Sequence, residues 1–203
     1  MAAARDALAD KGVAEVSLGD ISDRVGLAKS NLLRYFDSRE AVFLELLDEE
    51  CRAWLADLEQ RLGRPRARKP AYANEIRVAS AIAETLAGRR LMCELLGAMA
   101  GVLERNISLG FARDFKVRSV EIITALSGLI GRQLPWLPEE FIGFIGEGVL
   151  TLTAGMYPFS VPTAPVRQAM AELDFPDPRD RFVEGLRAGL VTWLIGAAAQ
   201  CPA

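Results

Sequence analysis

The sequence predicts an all-α protein with an N-terminal three-helix helix-turn-helix domain followed by a C-terminal helical bundle. Apolar residues recur at helical spacing in most segments, strand signals are few, and glycine or proline separates the segments. The 203 residues, of which 51% are hydrophobic, are enough to bury a substantial core. We expect the helix-turn-helix domain to span residues 1–45 and the bundle to span residues 46–203.

The first two helices are predicted from their end signals. An alanine-rich helix covers residues 2–11 and ends at Gly12. Ser17 is suited to cap the next short helix, and Asp20 completes a weak form of the capping-box pattern. Gly26 follows at a sharp bend, where glycine adopts a positive φ without steric cost.

The segment after this bend combines apolar anchors with side chains suited to nucleic acid. Leu27 and Leu32 supply the apolar groups on one side of the bend. The polar residues suit contacts with phosphates or bases, and they are Lys29, Ser30, Asn31, Arg34 and Tyr35. Two short helices joined by a glycine turn form a helix-turn-helix pattern, in which the second helix enters the DNA major groove.

The rest of the chain is predicted to consist of one long helix, a linker and six further helices. Ser38 is suited to cap a long amphipathic helix that ends near Gly63, and a basic, proline-containing linker covers residues 63–70. Further helices are predicted at 73–87, 89–105, 108–133, 139–157, 164–173 and 179–199. Two apolar segments, 141–157 and 188–199, are interrupted or shorter than the roughly 20 residues of a membrane span, so we interpret them as core or interface helices.

Composition excludes several classes of site. The chain contains no histidine, which removes the commonest general base and the usual zinc ligand. Its three cysteines are far apart and are expected to be reduced. No apolar signal core follows the N-terminus, so a cytoplasmic protein is expected. We predict no metal site, no cofactor and no enzymatic activity; a carboxylate enzyme based on Glu104 or Glu147 is the weaker alternative.

Residues 17–47 resemble the TetR family of one-component transcriptional regulators. The resemblance rests on the run Ile21 to Leu27, on Lys29-Ser30-Asn31-Leu32, on Arg34-Tyr35-Phe36 and on the charged start of the long helix at Ser38-Arg39-Glu40. It implies DNA contacts from the recognition helix and phosphate contacts at both flanks. The DNA-binding candidates are therefore Ser17, Lys29, Ser30, Asn31, Arg34, Tyr35 and Arg39. The sequence departs from the family pattern at Leu33, where tyrosine is common, and at Ala28, where Ser or Thr usually caps the helix.

The resemblance also implies a homodimeric repressor that leaves double-stranded operator DNA when its C-terminal domain binds a small hydrophobic effector. Large apolar residues that could surround such an effector, although their spacing also suits plain core, are Met92, Leu96, Met99, Phe111, Phe115, Trp136, Phe144 and Tyr157. The polar candidates are Glu147 and Thr151, with Glu104, Arg105 and Asn106 as either helix bridges or ligand contacts.

Two alternatives remain open at this stage. Glycines on the last two long helices could allow close approach of a second subunit, or they could pack within one subunit; they are Gly143, Gly146, Gly148, Gly155, Gly185 and Gly189. The net charge of −3 and Leu33 favour a rival function, in which the chain is a helical sensor of a hydrophobic ligand with weak or no DNA binding.

Overall fold

The computed structural model describes residues 1–26, 29–68 and 72–201 and confirms the all-α fold class: within these ranges it contains ten α-helices and two 3-10 turns, and no strand. The α-helices are α1 (Ala2–Lys11), α2 (Leu18–Val25), α3 (Lys29–Leu32), α4 (Arg39–Leu62), α5 (Ala73–Ala87), α6 (Arg90–Met99), α7 (Leu109–Gln133), α8 (Glu139–Met156), α9 (Ala164–Glu172) and α10 (Pro178–Ala199). The 3-10 turns are Leu103–Asn106 and Tyr157–Ser160.

The end signals read from the sequence are found at the predicted places. Ser17 and Ser38 both accept a hydrogen bond from the third backbone N–H of the helix that follows, at 3.1 Å in each case. Gly26 ends α2 in the left-handed conformation, with φ of 69°. A side-chain cap of this kind contributes about 1 kcal/mol, so these signals fix where α2 and α4 begin.

One predicted helix is wrong. Residues 89–105 do not form a single helix, because α6 ends at Met99 and a 3-10 turn follows at Leu103–Asn106. The interruption contains Gly101, and glycine disfavours helix continuation by about 1 kcal/mol relative to alanine. Beyond it, Leu103 is fully buried and its turn packs against α4. The last turn of the predicted helix is therefore not formed, and a 3-10 turn that buries Leu103 takes its place.

Helix α4 connects the two parts of the molecule. It runs for 24 residues and passes through the predicted domain boundary without a break. It contacts α1 as well as α5, α6 and α7. Phe43 and Trp54 are fully buried along its length. This helix is therefore shared by the helix-turn-helix and the bundle.

The C-terminal bundle contains two closely packed pairs of helices, α5 with α10 and α7 with α8. Glycines also bring α8 near α10: a Cβ atom at Gly148 would lie 2.6 Å from the Trp193 ring, and one at Gly185 would lie 2.6 Å from the Met156 methyl group. Gly189 faces Leu152 in the same way, at 3.0 Å. Packing within one subunit therefore accounts for these glycines, whereas Gly143 and Gly155 face open space.

Helix α10 is long and apolar enough to cross a membrane when judged by length and composition alone. In the bundle it buries Phe182, Leu186, Leu190 and Leu194, which follow one another at four-residue intervals. It packs mainly against α5 along this face. The apolar composition of α10 is thus explained by a core-facing stripe.

Candidate DNA-binding surface and effector cavity

Among the described residues of the recognition segment, Leu32 is the buried side chain of α3. Leu32 is 7% exposed and packs into the apolar core of the chain. Ser30, Asn31, Arg34 and Tyr35 are all exposed, with 80% of Tyr35 accessible. Leu27, Ala28 and the side chain of Lys29 lie outside the described residues. The predicted contact residues that the structure does describe in this segment therefore share one solvent-facing surface.

These side chains offer complementary chemistry to a DNA groove. The Asn31 amide has the donor and acceptor that pair with an adenine edge, and Tyr35 combines a hydroxyl with an apolar ring. Ser30 and Arg34 suit phosphate oxygens. Arg34 forms no ion pair within the described residues, so its guanidinium is available to an external anion.

Ser17 is occupied by its capping interaction at the start of α2. Its backbone N–H donates to the Asp20 carboxylate at 2.7 Å, and the Lys11 ammonium lies 2.5 Å from the same carboxylate. The hydrogen bonds from Lys11 and then from Ser17 hold the pKa of Asp20 below its usual range. Asp20 thus stays charged and paired, and its negative charge is locally neutralised.

Arg39 is also engaged within the chain. Its guanidinium donates to the carbonyl of Val16 at 2.8 Å and to the Glu40 carboxylate at 2.8 Å, and it lies over the Phe43 ring at 5.6 Å. The side chain therefore joins the start of α4 to the loop before α2. A phosphate contact by Arg39 has to compete with these interactions.

Several polar contacts join the helix-turn-helix to the bundle, and three of them connect it to α4, to α6 and to the start of α7. Glu94 on α6 accepts the backbone N–H of Val13 at 2.8 Å, although the two residues are 81 positions apart. Arg5 on α1 donates to Glu50 on α4 at 2.8 Å. Ser108, which caps α7, donates to Asp37 in the loop before α4. Helices α6 and α7 therefore touch the helix-turn-helix directly, in addition to the covalent link through α4.

A cavity of about 560 Å³ lies in the bundle between α4, α6, α7 and α8. This volume is within the range of small-molecule sites in proteins, about 300–1,000 Å³. Three of the predicted effector residues, Leu96, Met99 and Phe115, line it together. The polar candidates Glu147 and Thr151 line it as well.

The other five predicted effector residues lie elsewhere. Met92 is fully buried in the core, and Phe111 stacks on Phe115 with ring centroids 6.4 Å apart but does not line the cavity. Phe144 is 61% exposed and lies against Trp193. Trp136 donates its indole N–H to Glu75 at 2.8 Å, and Tyr157 packs edge-on against Phe182.

Several lining residues were not identified from the sequence as site candidates. They are Leu47, Asp48, Cys51, Gly97, Ala100, Lys116, Ser119, Val120, Ile122, Ile123, Leu150, Ala154 and Gly155. The available signal was a group of small residues, Gly97, Ala100, Ala154 and Gly155, because small side chains leave space between helices. Small residues alone do not predict a cavity, because the sequence does not show that α6 and α8 face each other.

The titratable groups of the cavity do not form a catalytic set. Burial raises the pKa of Cys51 to about 12, so its thiol stays protonated and unreactive. Asp48 is paired with Arg52 at 2.9 Å, and the hydrogen bonds that this guanidinium donates to Asp48 and then to Glu121 raise its pKa above the usual range. Glu104 pairs with Lys116 at 2.6 Å, while Arg105 and Asn106 are exposed. Among the described residues, no three Cys, Asp or Glu side chains are grouped to hold a metal ion.

Two family models match the chain. The model described as "Bacterial regulatory proteins, tetR family" matches residues 1–46, and the model described as "Tetracyclin repressor-like, C-terminal domain" matches residues 48–200. Together they include both the helix-turn-helix and the bundle that contains the cavity. A comparison with curated protein sequences finds no match.

Solved structures of similar fold include two regulators from Bacillus. The transcriptional regulator FadR from Bacillus subtilis, in complex with stearoyl-CoA, is 14% identical with a TM-score of 0.55, covering 95% of this chain and 96% of that one. The fatty acid degradation regulator FadR from Bacillus halodurans is 13% identical with a TM-score of 0.54, covering 94% and 91%. At these identities the likeness concerns the fold.

Proposed function

The chain belongs to the TetR family of bacterial regulatory proteins, and from this premise we propose that it is a homodimeric repressor released from its operator by a small hydrophobic effector. The observation that carries the proposal is the exposed surface formed by Ser30, Asn31, Arg34 and Tyr35 beside the buried Leu32. In a dimer, two such surfaces meet successive major grooves about 34 Å apart.

Support for a dimer comes from apolar surface near the two long C-terminal helices. Phe144 on α8 is 61% exposed and lies against the half-buried Trp193 of α10. Helix α9, which comes between α8 and α10 in the chain, buries none of its residues. A nine-residue helix is marginal in isolation. A second copy packed against α8, α9 and α10 would cover both features and give α9 a partner.

Support for effector control comes from the position of α6. Its residues Leu96 and Met99 line the cavity, and Glu94, half a turn earlier, holds the loop before α2. An effector that moves α6 would therefore change the orientation of the helix-turn-helix through this hydrogen bond. The shift in population requires the effector to bind the released state more tightly than the DNA-bound state.

The proposal is tested by selecting fragments of the source genome that the purified protein retains at low salt. We expect a small set of recurrent fragments that share a two-fold symmetric motif. Retention of fragments without any shared motif would contradict the proposal. If the same protein were stabilised by hydrophobic ligands while retaining no DNA, the sensor alternative would replace it.

A first prediction concerns base recognition. Asn31→Ala is expected to weaken binding to a selected fragment by about 1–3 kcal/mol and to relax the preference at one base pair, because the amide is suited to an adenine edge. Arg61→Ala, which removes an exposed cation at the end of α4, is the matched control and should change neither the affinity nor the base preference. Fluorescence anisotropy with the selected fragment and single-base variants measures both effects. Equal losses by Asn31→Ala on selected and random DNA would contradict the readout role.

A further inference from the structure

The charged groups that line the effector cavity are few. Apart from apolar side chains, the wall contains two carboxylates, Asp48 and Glu147, and one ammonium group, Lys116. It also contains two hydroxyl groups, of which Ser119 is already bonded to the carbonyl of Phe115 at 2.8 Å. The head group of any bound amphiphile therefore has to fit this small polar set.

Two of the three charges are already neutralised. Asp48 is 9% exposed, and its carboxylate accepts from Arg52 at 2.9 Å. Lys116 donates to Glu104 at 2.6 Å. Because each of these groups already has a partner of opposite charge, a ligand head group would have to compete with that partner for either of them.

Glu147 is the remaining charge. It lies on α8, is exposed at the cavity, and forms no ion pair within the described residues. Thr151, one helical turn further along, is also exposed and lines the same cavity. The two side chains offer a carboxylate and a hydroxyl at one side of an otherwise apolar space.

The cations around the cavity do not offset this negative charge. Arg52 bridges Asp48 and Glu121, and Arg118 donates two hydrogen bonds to Glu45, at 2.6 and 2.8 Å. Arg113 lies one turn before Lys116 but does not line the cavity. An anionic head group would therefore meet an unpaired carboxylate without a free cation in the wall. In a partly enclosed site, water screens such a repulsion less than it does at an open surface.

We propose that the effector is a cationic amphiphile, with an apolar chain among Leu96, Met99 and Phe115 and a protonated amine or quaternary ammonium group at Glu147. This inference rests on the proposed effector-controlled function and specifies its ligand class. The positive head group neutralises the unpaired carboxylate of Glu147, and the alkyl chain of the ligand occupies the apolar part of the cavity. Long-chain carboxylates and CoA thioesters carry the opposite charge and are disfavoured.

The test compares three probes that share a twelve-carbon chain: dodecylammonium and dodecanoate, each used below its critical micelle concentration, and dodecanol, used below its aqueous solubility. Isothermal titration calorimetry is expected to give the tightest binding for dodecylammonium, by about tenfold over dodecanol, since a hydrogen bond to a charged group contributes about 1.5 kcal/mol or more. Dodecanoate should bind more weakly than dodecanol. Tighter binding of dodecanoate or stearoyl-CoA, or binding of none of the three probes, would overturn the proposal.

Variants of Glu147 assign the preference to this residue. Glu147→Gln should reduce the affinity for dodecylammonium about tenfold and leave that for dodecanol unchanged, and Glu147→Lys should reverse the order in favour of dodecanoate. Glu139→Gln, an exposed carboxylate at the start of α8, is the matched control and should have no effect. An unchanged selectivity in Glu147→Gln would refute the role of this residue.

DNA binding distinguishes this inference from the function on which it rests. Selective retention of genomic fragments is measured without any probe, so its loss concerns only the proposed regulator. If dodecylammonium binds with the expected selectivity but leaves the DNA complex intact, the ligand class stands and the coupling to DNA fails. If dodecanoate binds more tightly and releases DNA, the coupling stands and the ligand class is refuted.

Discussion

The helix-turn-helix presents its candidate contact residues on one short stretch of chain, whereas the effector cavity is assembled from four helices that are distant in sequence. Among the described residues, the recognition surface depends on the buried Leu32 and on the local capping signals at Ser17, Gly26 and Ser38. The cavity depends on the packing of α4, α6, α7 and α8, whose residues meet only after the bundle has formed. A substitution in the helix-turn-helix should therefore disturb only nearby residues, whereas a substitution in the cavity should disturb all four helices that form it.

The largest expected effect is at the anchor of the recognition helix. Leu32→Ala should lower the free energy of unfolding by about 2–3 kcal/mol and abolish selective DNA binding, because it removes the buried side chain that positions α3. Ligand binding in the bundle should be retained. The neighbouring Leu33 is 46% exposed, so Leu33→Ala should cost less than about 0.5 kcal/mol. Chemical denaturation and calorimetry compare the two variants, and equal losses of stability would show that α3 is not anchored in this way.

The next effect concerns the turn before that helix. Gly26 has a φ of 69°, and among the described residues, its chain neighbours apart, no heavy atom lies within 4 Å of a Cβ placed there. Gly26→Ala should therefore cost about 1–2 kcal/mol through backbone strain alone. Gly196→Ala is the control, since it adds the same methyl group to open space in a regular helix and should be neutral or stabilising. If Gly26→Ala left the free energy of unfolding in urea unchanged, the left-handed conformation at residue 26 would be contradicted.

The difference between the regions also shows what the sequence can predict. Caps, turns and exposed contact residues in residues 17–39 depend on neighbours within a few positions, so Ser17, Gly26 and Ser38 were identified from the chain alone. Trp136 and Phe144 were chosen as effector residues by size and helical spacing, and neither property states which helix lies opposite. The position of Arg39 was predicted, but its bonds to Val16 and Glu40 depend on how α4 meets the preceding loop.

A smaller effect is expected at the contact that joins the two regions. Glu94→Gln should weaken the hydrogen bond to the Val13 N–H by about 1 kcal/mol, because the charged acceptor becomes neutral. DNA affinity without effector should change by no more than about fivefold, and the loss of affinity on adding an effector should become smaller. Glu84→Gln removes a carboxylate paired with Arg61 in an exposed ion pair and serves as the control. A full effector response in Glu94→Gln would exclude this route of coupling.

The smallest effect is a pH dependence of the helix-turn-helix. The pKa of Asp20 is lowered in the folded chain by Lys11 and Ser17, while an unfolded aspartate titrates near pH 3.9. The contribution of Asp20 to stability is therefore complete well above pH 4 and is lost as the pH falls toward the folded value. Thermal unfolding of wild type and Asp20→Asn should differ at pH 7 and converge under acid conditions. A difference in melting temperature between the two proteins that grew as the pH fell would contradict the stabilising role of charged Asp20.

The central claim is that occupation of the bundle cavity controls DNA binding by the helix-turn-helix. The most direct measurement is the anisotropy of a fluorescently labelled selected fragment, titrated with protein in the absence and presence of dodecylammonium, at fixed salt. We expect affinity for the selected fragment at least about 1,000-fold above that for a shuffled sequence, and a loss of at least about tenfold when the probe is saturating. Equal affinity for the two DNAs, or selective binding that no cavity ligand alters, would contradict the account.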